Sequence, residues 1–197
     1  PKQAFLDAEN AKNEGYYFIH PFDGPLTLQG SATLGLEIVE YLKSINTKID
    51  NLLISVGGGG LISGVSSYVK QFYPKIKIIG VEPENANGLN QSFRANKPLN
   101  NLNVNSIADS LSAPLHMQYS FDVAKEVIDE MVTVSDDEMK KFMVFCYKKF
   151  KLFLEPACVA GLAALKYKIN NNLIGKNTMV ILCGSNIDKK TWLDLTN

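Results

Sequence analysis

The sequence predicts an α/β fold built on a doubly wound, largely parallel sheet with helices on both faces. Three observations predict it. Short apolar runs alternate along the chain with longer segments of helical periodicity. The clearest run, "LLISV" (52–56), is apolar almost throughout, as strands are when both faces of a parallel sheet are covered. The segments between runs are long enough for crossover helices, which in a parallel sheet are right-handed.

The elements follow in order. "AFLDAENAKNEG" reads as the last turns of a helix ending at Gly15, and "YYFIH" as a short strand. After the turn-rich "HPFDGP", the stretch from Ser31 to Ile45 carries Leu34, Ile38 and Leu42 on one helical stripe, with Glu37, Glu40 and Lys43 outside. The strand 52–56 leads into a helix from Leu61 to Tyr73, then the strand "IKIIGVE". Residues 84–114 are rich in Asn, Ser and Pro and predict loop with short pieces of helix. "SFDVAKEVIDEM" reads as helix and "VTV" as strand. In "SDDE", Ser135 and Glu138 have capping-box spacing, opening a helix that runs to Phe153. Pro156 suits the first turn of the helix "EPACVAGLAALKYKI", and "TMVILC" is the last predicted strand.

Bulk properties narrow the function. The 197 residues are 46% hydrophobic and 20% charged, which fits one or two globular domains. Basic and acidic residues balance at 20 each with no run of one sign, so nothing marks a nucleic-acid surface. No stretch approaches the ~20 apolar residues of a membrane span. Cys146, Cys158 and Cys183 lie in apolar stretches and read as free thiols in a reducing compartment, giving a cytoplasmic expectation. The chain opens without a signal-peptide pattern or an initiator Met, and the expectation is that it begins within a longer protein.

The chemistry concentrates at "SVGGGGLISG" (55–64), where four consecutive glycines join a strand to a helix. Ligands in open α/β sheets sit beyond the carboxyl ends of strands. Glycine removes the Cβ atoms that hold a ligand away, and a helix N-terminus offers unpaired N–H groups, so a phosphate fits there. A tight turn with no ligand needs fewer glycines. The dinucleotide fingerprint fails because Ile62 or Ser63 falls where its last glycine belongs, although Glu82 stands about where a ribose-binding acid would. The triphosphate loop fails too, since Val65 and Ser66 follow Gly64 in place of Lys and Ser/Thr. His20 and His116 lie far apart with no cysteine pair nearby, a poor metal site or triad; His20 belongs to the "HPFD" turn.

Seven segments together carry a resemblance: "FIHPFDGP", "ATLGLE", "VGGGGLISG", "GVEPENA", "IADSL", "EPACVAGLAAL" and "LCGSNID". In this order they resemble serine/threonine dehydratases and serine racemases, pyridoxal-phosphate enzymes of the tryptophan-synthase-β-like fold (fold type II). The resemblance covers nearly the whole chain. It implies that Gly57, Gly58, Gly59 and Gly60, with the Leu61 amide, hold the phosphate of pyridoxal 5'-phosphate. It implies that Cys183 faces the pyridine nitrogen, that Glu155 lies near ring and substrate, and that Ser110 stands beside the reacting centre. Without the resemblance, Cys183 reads as a buried strand cysteine and Glu155 as an acid complementing a helix start. The divalent-cation positions of the family fall on Glu82, Ala86 and Gly88; with the third carboxylate gone, weak metal binding or none is expected. "QGSAT" (29–33) departs from the commoner "AGQGT".

Two family motifs do not occur: S-x-K-x-R-G, with the Schiff-base lysine, and S-x-G-N-H, which covers the ring. The expectation is therefore a C-terminal portion, with residues 1–22 ending the small domain and 23–197 forming the large cofactor-binding domain, inactive alone. The complete enzyme is expected to be a homodimer that dehydrates L-threonine or L-serine to a 2-oxo acid and ammonia. Serine racemase and a non-catalytic nucleotide- or phosphate-binding module are the rival readings.

Overall fold

The apolar run at the centre of the sequence becomes a central strand. In the computed structural model, which describes residues 2–169, 173 and 176–196, strand β1 (Asn51–Ser55) is buried at every position. It pairs in parallel with β2 (Lys77–Pro83) on one edge and with the short β4 (Thr178–Val180) on the other. Strand β3 (Glu130–Val134) pairs in parallel with β2, giving the order β3-β2-β1-β4. The predicted parallel sheet is thus present.

Alternation along the strands sends side chains to opposite layers. Leu52 and Ile54 of β1 pack with Val39 and Leu42 of helix α2 (Pro25–Ser44), Ile62 and Val65 of α3 (Gly60–Phe72), and Phe121 of α5 (Gln118–Val127). Leu53, between them, packs with Met139 and Met143 of α6 (Asp136–Phe150), Ala160 of α7 (Pro156–Tyr167) and Trp192 of α8 (Lys189–Thr196). Helices therefore cover both faces. Helices α2 and α3 meet closely, because a Cβ on Gly64 would lie 2.3 Å from the Leu28 carbonyl oxygen.

The capping box is present: Ser135 Oγ accepts from the Glu138 amide at 3.2 Å, and Glu138 Oε2 accepts from the Ser135 amide at 2.8 Å. Helix α1 (Lys2–Asn13) and Gly15, at φ +96°, match the predicted helix end.

Other boundaries differ. Tyr16–His20 is irregular rather than a strand; its backbone pairs with no strand among the described residues, and Tyr16, Tyr17 and Ile19 are exposed. Helix α2 starts at Pro25, not Ser31, since Gly24 turns the chain at φ +91° and proline fits the first helical turn. Helix α5 ends at Val127, because Asp129 binds the Ile78 amide and steers the chain into β3. Helix α6 ends at Phe150, where Lys151 turns left-handed at φ 58°. β4 stops at Val180, although the Ile181 amide still reaches the Leu53 carbonyl at 3.1 Å. The sequence reading had no helix at α8.

Topology places the site. From β1 the chain moves through α3 to β2 and on to β3; α6 and α7 then carry it back across the other face to β4. The winding direction reverses between β1 and β4. Such a switch point opens a crevice beyond the carboxyl ends of the two strands.

Candidate functional site

The four glycines occupy that crevice, each against a different neighbour. A Cβ on Gly57 would lie 2.9 Å from the Ser110 carbonyl oxygen, and one on Gly58 would lie 2.2 Å from the Phe22 ring. One on Gly60 would lie 2.6 Å from the Phe22 carbonyl oxygen. Gly59 has room, with only Leu89 Cδ2 within reach at 3.8 Å, but its φ of +92° is left-handed. Gly59 is also the N-cap of α3 and has no side chain to answer the helix start. Among the described residues, the amides of Gly57, Gly58, Gly59, Gly60 and Leu61 donate to no protein acceptor. Five bare N–H groups thus converge at a helix N-terminus.

They line a cavity of about 320 Å³ with Pro21, Phe22, Ser110, Leu111, Glu155 and Cys183. Cys183 follows β4 as the glycines follow β1, so the switch point brings the two predicted contact groups together. Cys183 is exposed and lies past the end of β4, not buried within a strand; partial desolvation, reinforced by Glu155, still pushes its thiol above its ordinary value, so it stays uncharged at neutral pH. Glu155 is the residue before α7, yet its carboxyl does not cap the helix. It is 7% exposed and turns toward Gly184, where an added Cβ would meet Glu155 Oε1 at 2.0 Å. Burial, then the charge of Asp109, raises its pKa. Ser110 is exposed at the cavity rim, with its amide bound to Asp109 Oδ1 at 2.8 Å. Cys158, one turn into α7, is buried, and its thiol is pushed up to about 12 by burial and by Cys183 and Glu155.

Glu82 has a different task. Its carboxylate oxygens accept from the amides of Leu89 at 2.7 Å and Asn90 at 3.0 Å, at the start of α4 (Gly88–Ala95). It is 1% exposed, and burial lifts its pKa to about 7 against the opposing pull of the two amides. Ala86 is buried beside it, and no group of three or more His, Cys, Asp or Glu residues with metal-binding geometry exists among the described residues. At 1% exposure, Glu82 is shut off from the cavity lined by the glycines.

Sequence reasoning missed two neighbours of the glycine loop. Phe22 covers Gly58 and Gly60, and His116 reaches the Gly57 carbonyl from a loop 59 residues away. "HPFD" signalled a turn, which His20 builds by accepting from the Phe22 amide at 3.3 Å, but not what the turn presses against. His116 carried no local signal.

A family model described as "Pyridoxal-phosphate dependent enzyme" matches residues 2–184. The chain belongs to this family. This pyridoxal-phosphate-dependent chain is 42% identical over 179 residues to a phenylserine dehydratase of Ralstonia pickettii, covering 91% of the chain and 54% of the relative. It is 32% identical over 182 residues to a catabolic L-threonine dehydratase of Escherichia coli, covering 92% and 54%. The solved threonine deaminase isoform 2 of Solanum lycopersicum superposes with a TM-score of 0.87 at 33% identity, covering 95% of this chain and 54% of that one. Maize serine racemase superposes with a TM-score of 0.85 at 29% identity, covering 97% and 58%. The chain spans about half the length of the curated relatives it matches. The residues present fit the cofactor: the bare amides suit its phosphate, and the cavity is bounded by an uncharged thiol suited to an unprotonated ring nitrogen.

Proposed function

We propose that the protein is a pyridoxal-phosphate-dependent dehydratase of β-hydroxy-α-amino acids, with L-threonine or L-serine as substrate and a 2-oxo acid and ammonia as products. One observation carries this reading: an uncharged thiol and five amides without a protein acceptor among the described residues line one cavity at the switch point. The identities to phenylserine and threonine dehydratases support it.

The amides of Gly57 to Leu61 would hold the phosphate, and Cys183 would meet the ring nitrogen. Bound pyridoxal phosphate would supply the electron sink for charge left at the substrate Cα. The chain supplies orientation and electrostatics. Cys183 brings no negative charge to the ring nitrogen, so it does not favour a proton there; this suits elimination or racemisation over chemistry that needs a fully protonated ring, such as transamination. Glu155, buried and raised in pKa, offers a carboxyl beside Cys183, and Ser110 stands at the mouth where substrate enters. Among the described residues no lysine lines the cavity, so the lysine that carries the cofactor would come from outside these 197 residues, and this portion alone would do no chemistry. Residues 1–22 fit the end of a separate small domain, since among the described side chains none before Pro21 joins either apolar core.

The test uses Cys183 in the full-length protein. Cys183→Ser keeps an uncharged hydrogen-bonding partner and should retain most of the dehydration. Cys183→Asp places an anion there, so the ratio of 2-oxo acid formed to α-deuterium exchanged should fall several-fold, on the order of one pKa unit's effect. A folded Asp variant with an unaltered ratio removes Cys183 from the site. Accumulation of D-serine in place of 2-oxo acid in the wild type would favour the racemase reading.

A further inference from the structure

We propose that His116 is a positioning residue for the phosphate cradle: it locks the peptide between Gly57 and Gly58 so that the Gly58 amide faces the cavity. This rests on the reading of that cavity as the pyridoxal-phosphate site. His116 is 5% exposed, and its Nε2 lies 3.1 Å from the Gly57 carbonyl oxygen. A carbonyl only accepts, so Nε2 carries the proton and donates. The ring is held from its other side as well. Nδ1 lies 3.4 Å from Ser92 Oγ, which accepts from the Leu99 amide at 3.1 Å and whose one proton goes either to Nδ1 or to the Gly88 carbonyl at 2.9 Å. The His116 amide donates to the Leu99 carbonyl at 2.8 Å. The ring edge fills the space above Gly88, where a Cβ would lie 2.7 Å from His116 Cε1.

The consequence follows from peptide geometry. The Gly57–Gly58 peptide is planar and trans, so the Gly57 carbonyl and the Gly58 N–H point in opposite directions. Holding the carbonyl toward His116 turns the N–H the other way. The lock matters here because both residues of the peptide are glycines, so no side chain of their own restricts the orientation of its plane. A flipped plane would present a carbonyl oxygen, not an N–H, to an anion.

The experiment compares the affinities of pyridoxal 5'-phosphate and of pyridoxal for the full-length protein stripped of cofactor. The phosphate preference is the ratio of the two dissociation constants. His116→Leu removes the donor, and the preference should fall about three- to tenfold, the effect of one neutral hydrogen bond. His116→Gln places an amide N–H near the position of Nε2 and should restore most of the preference. The ³¹P resonance of the bound cofactor should shift in the Leu variant and return toward wild type in the Gln variant. Equal loss of affinity for both ligands, or no loss, overturns the proposal by leaving His116 a packing residue. If His116→Leu fails to fold, His116→Asn takes its place: Asn is too short to reach Gly57, so equal preferences in the Asn and Gln variants overturn the proposal. A wild-type protein that binds both ligands equally defeats the cradle reading itself, a result distinct from failure of the lock.

Discussion

Two strand-to-helix turns stand side by side at the carboxyl ends of neighbouring parallel strands, and they treat a helix N-terminus in opposite ways. After β2 the chain brings its own anion: Glu82 folds back and accepts from two amides at the start of α4. After β1 it brings none, and five amides at the start of α3 lack any protein acceptor among the described residues. The positive end of a helix attracts negative charge in either case. What differs is whether the sequence satisfies it internally or leaves it for a ligand. A carboxylate at one strand end makes a structural corner; glycines at the next leave an open helix start, which the proposed function assigns to the cofactor phosphate.

The internal solution carries the larger energetic signature. Burial raises Glu82 from 4.5 to about 7, equivalent to about 3 kcal/mol. The folded-state value lies above the unfolded one, so stability is full below about 4.5 and falls as pH rises through about 7. Glu82→Gln removes that titration. The stability difference between variant and wild type, from urea midpoints, should move in the variant's favour by about 3 kcal/mol between pH 4.5 and 8. A pH-independent difference would mean that the two amides fully offset the burial.

Next come the glycines of the open turn. Gly60→Ala must displace the Phe22 backbone, 2.6 Å from the new Cβ, and should cost about 2 kcal/mol of stability. Gly59→Ala meets no such obstacle, and its left-handed φ should cost about 1 kcal/mol. Both should release cofactor on dialysis more readily than the wild type. A reversed order in denaturant melts would show that the Phe22 turn yields more easily than the backbone does.

The smallest effect belongs to a third helix start, closed by local side chains. Ser135→Ala removes the acceptor for the Glu138 amide and should cost about 1 kcal/mol without changing cofactor affinity. Loss of affinity in that variant would break the division between structural and ligand-facing helix starts.

The same division explains what could be read from the sequence. Elements set by local chemistry were legible: the buried strand at 52–56, the Ser135–Glu138 box, and the glycine turn from strand to helix. The meeting of Gly57–Gly60 with Cys183 at one cavity was legible only through the family resemblance, because "TMVILC" reads equally as a core strand. The hold of Glu82 on the Leu89 and Asn90 amides was not legible, because they lie in a stretch whose Asn, Ser and Pro content reads as loop. "YYFIH" has strand composition, but a strand also needs a neighbouring edge, and composition does not report one. Helix α8 hides for a related reason. Its anchor is Trp192, whose indole N–H donates to the Leu154 carbonyl at 3.2 Å, a contact 38 residues away in sequence.

The run of four glycines is uniform in spelling and mixed in cause. At positions 57, 58 and 60, bulk is excluded by crowding from neighbouring atoms. At position 59 there is space for a methyl group, and chirality is the obstacle: a φ of +92° lies in the region that mirror-image residues favour. A D-alanine would carry that backbone without strain, whereas an L-alanine does not. Ribosomal synthesis offers no D residue, and glycine, the one achiral amino acid, takes its place.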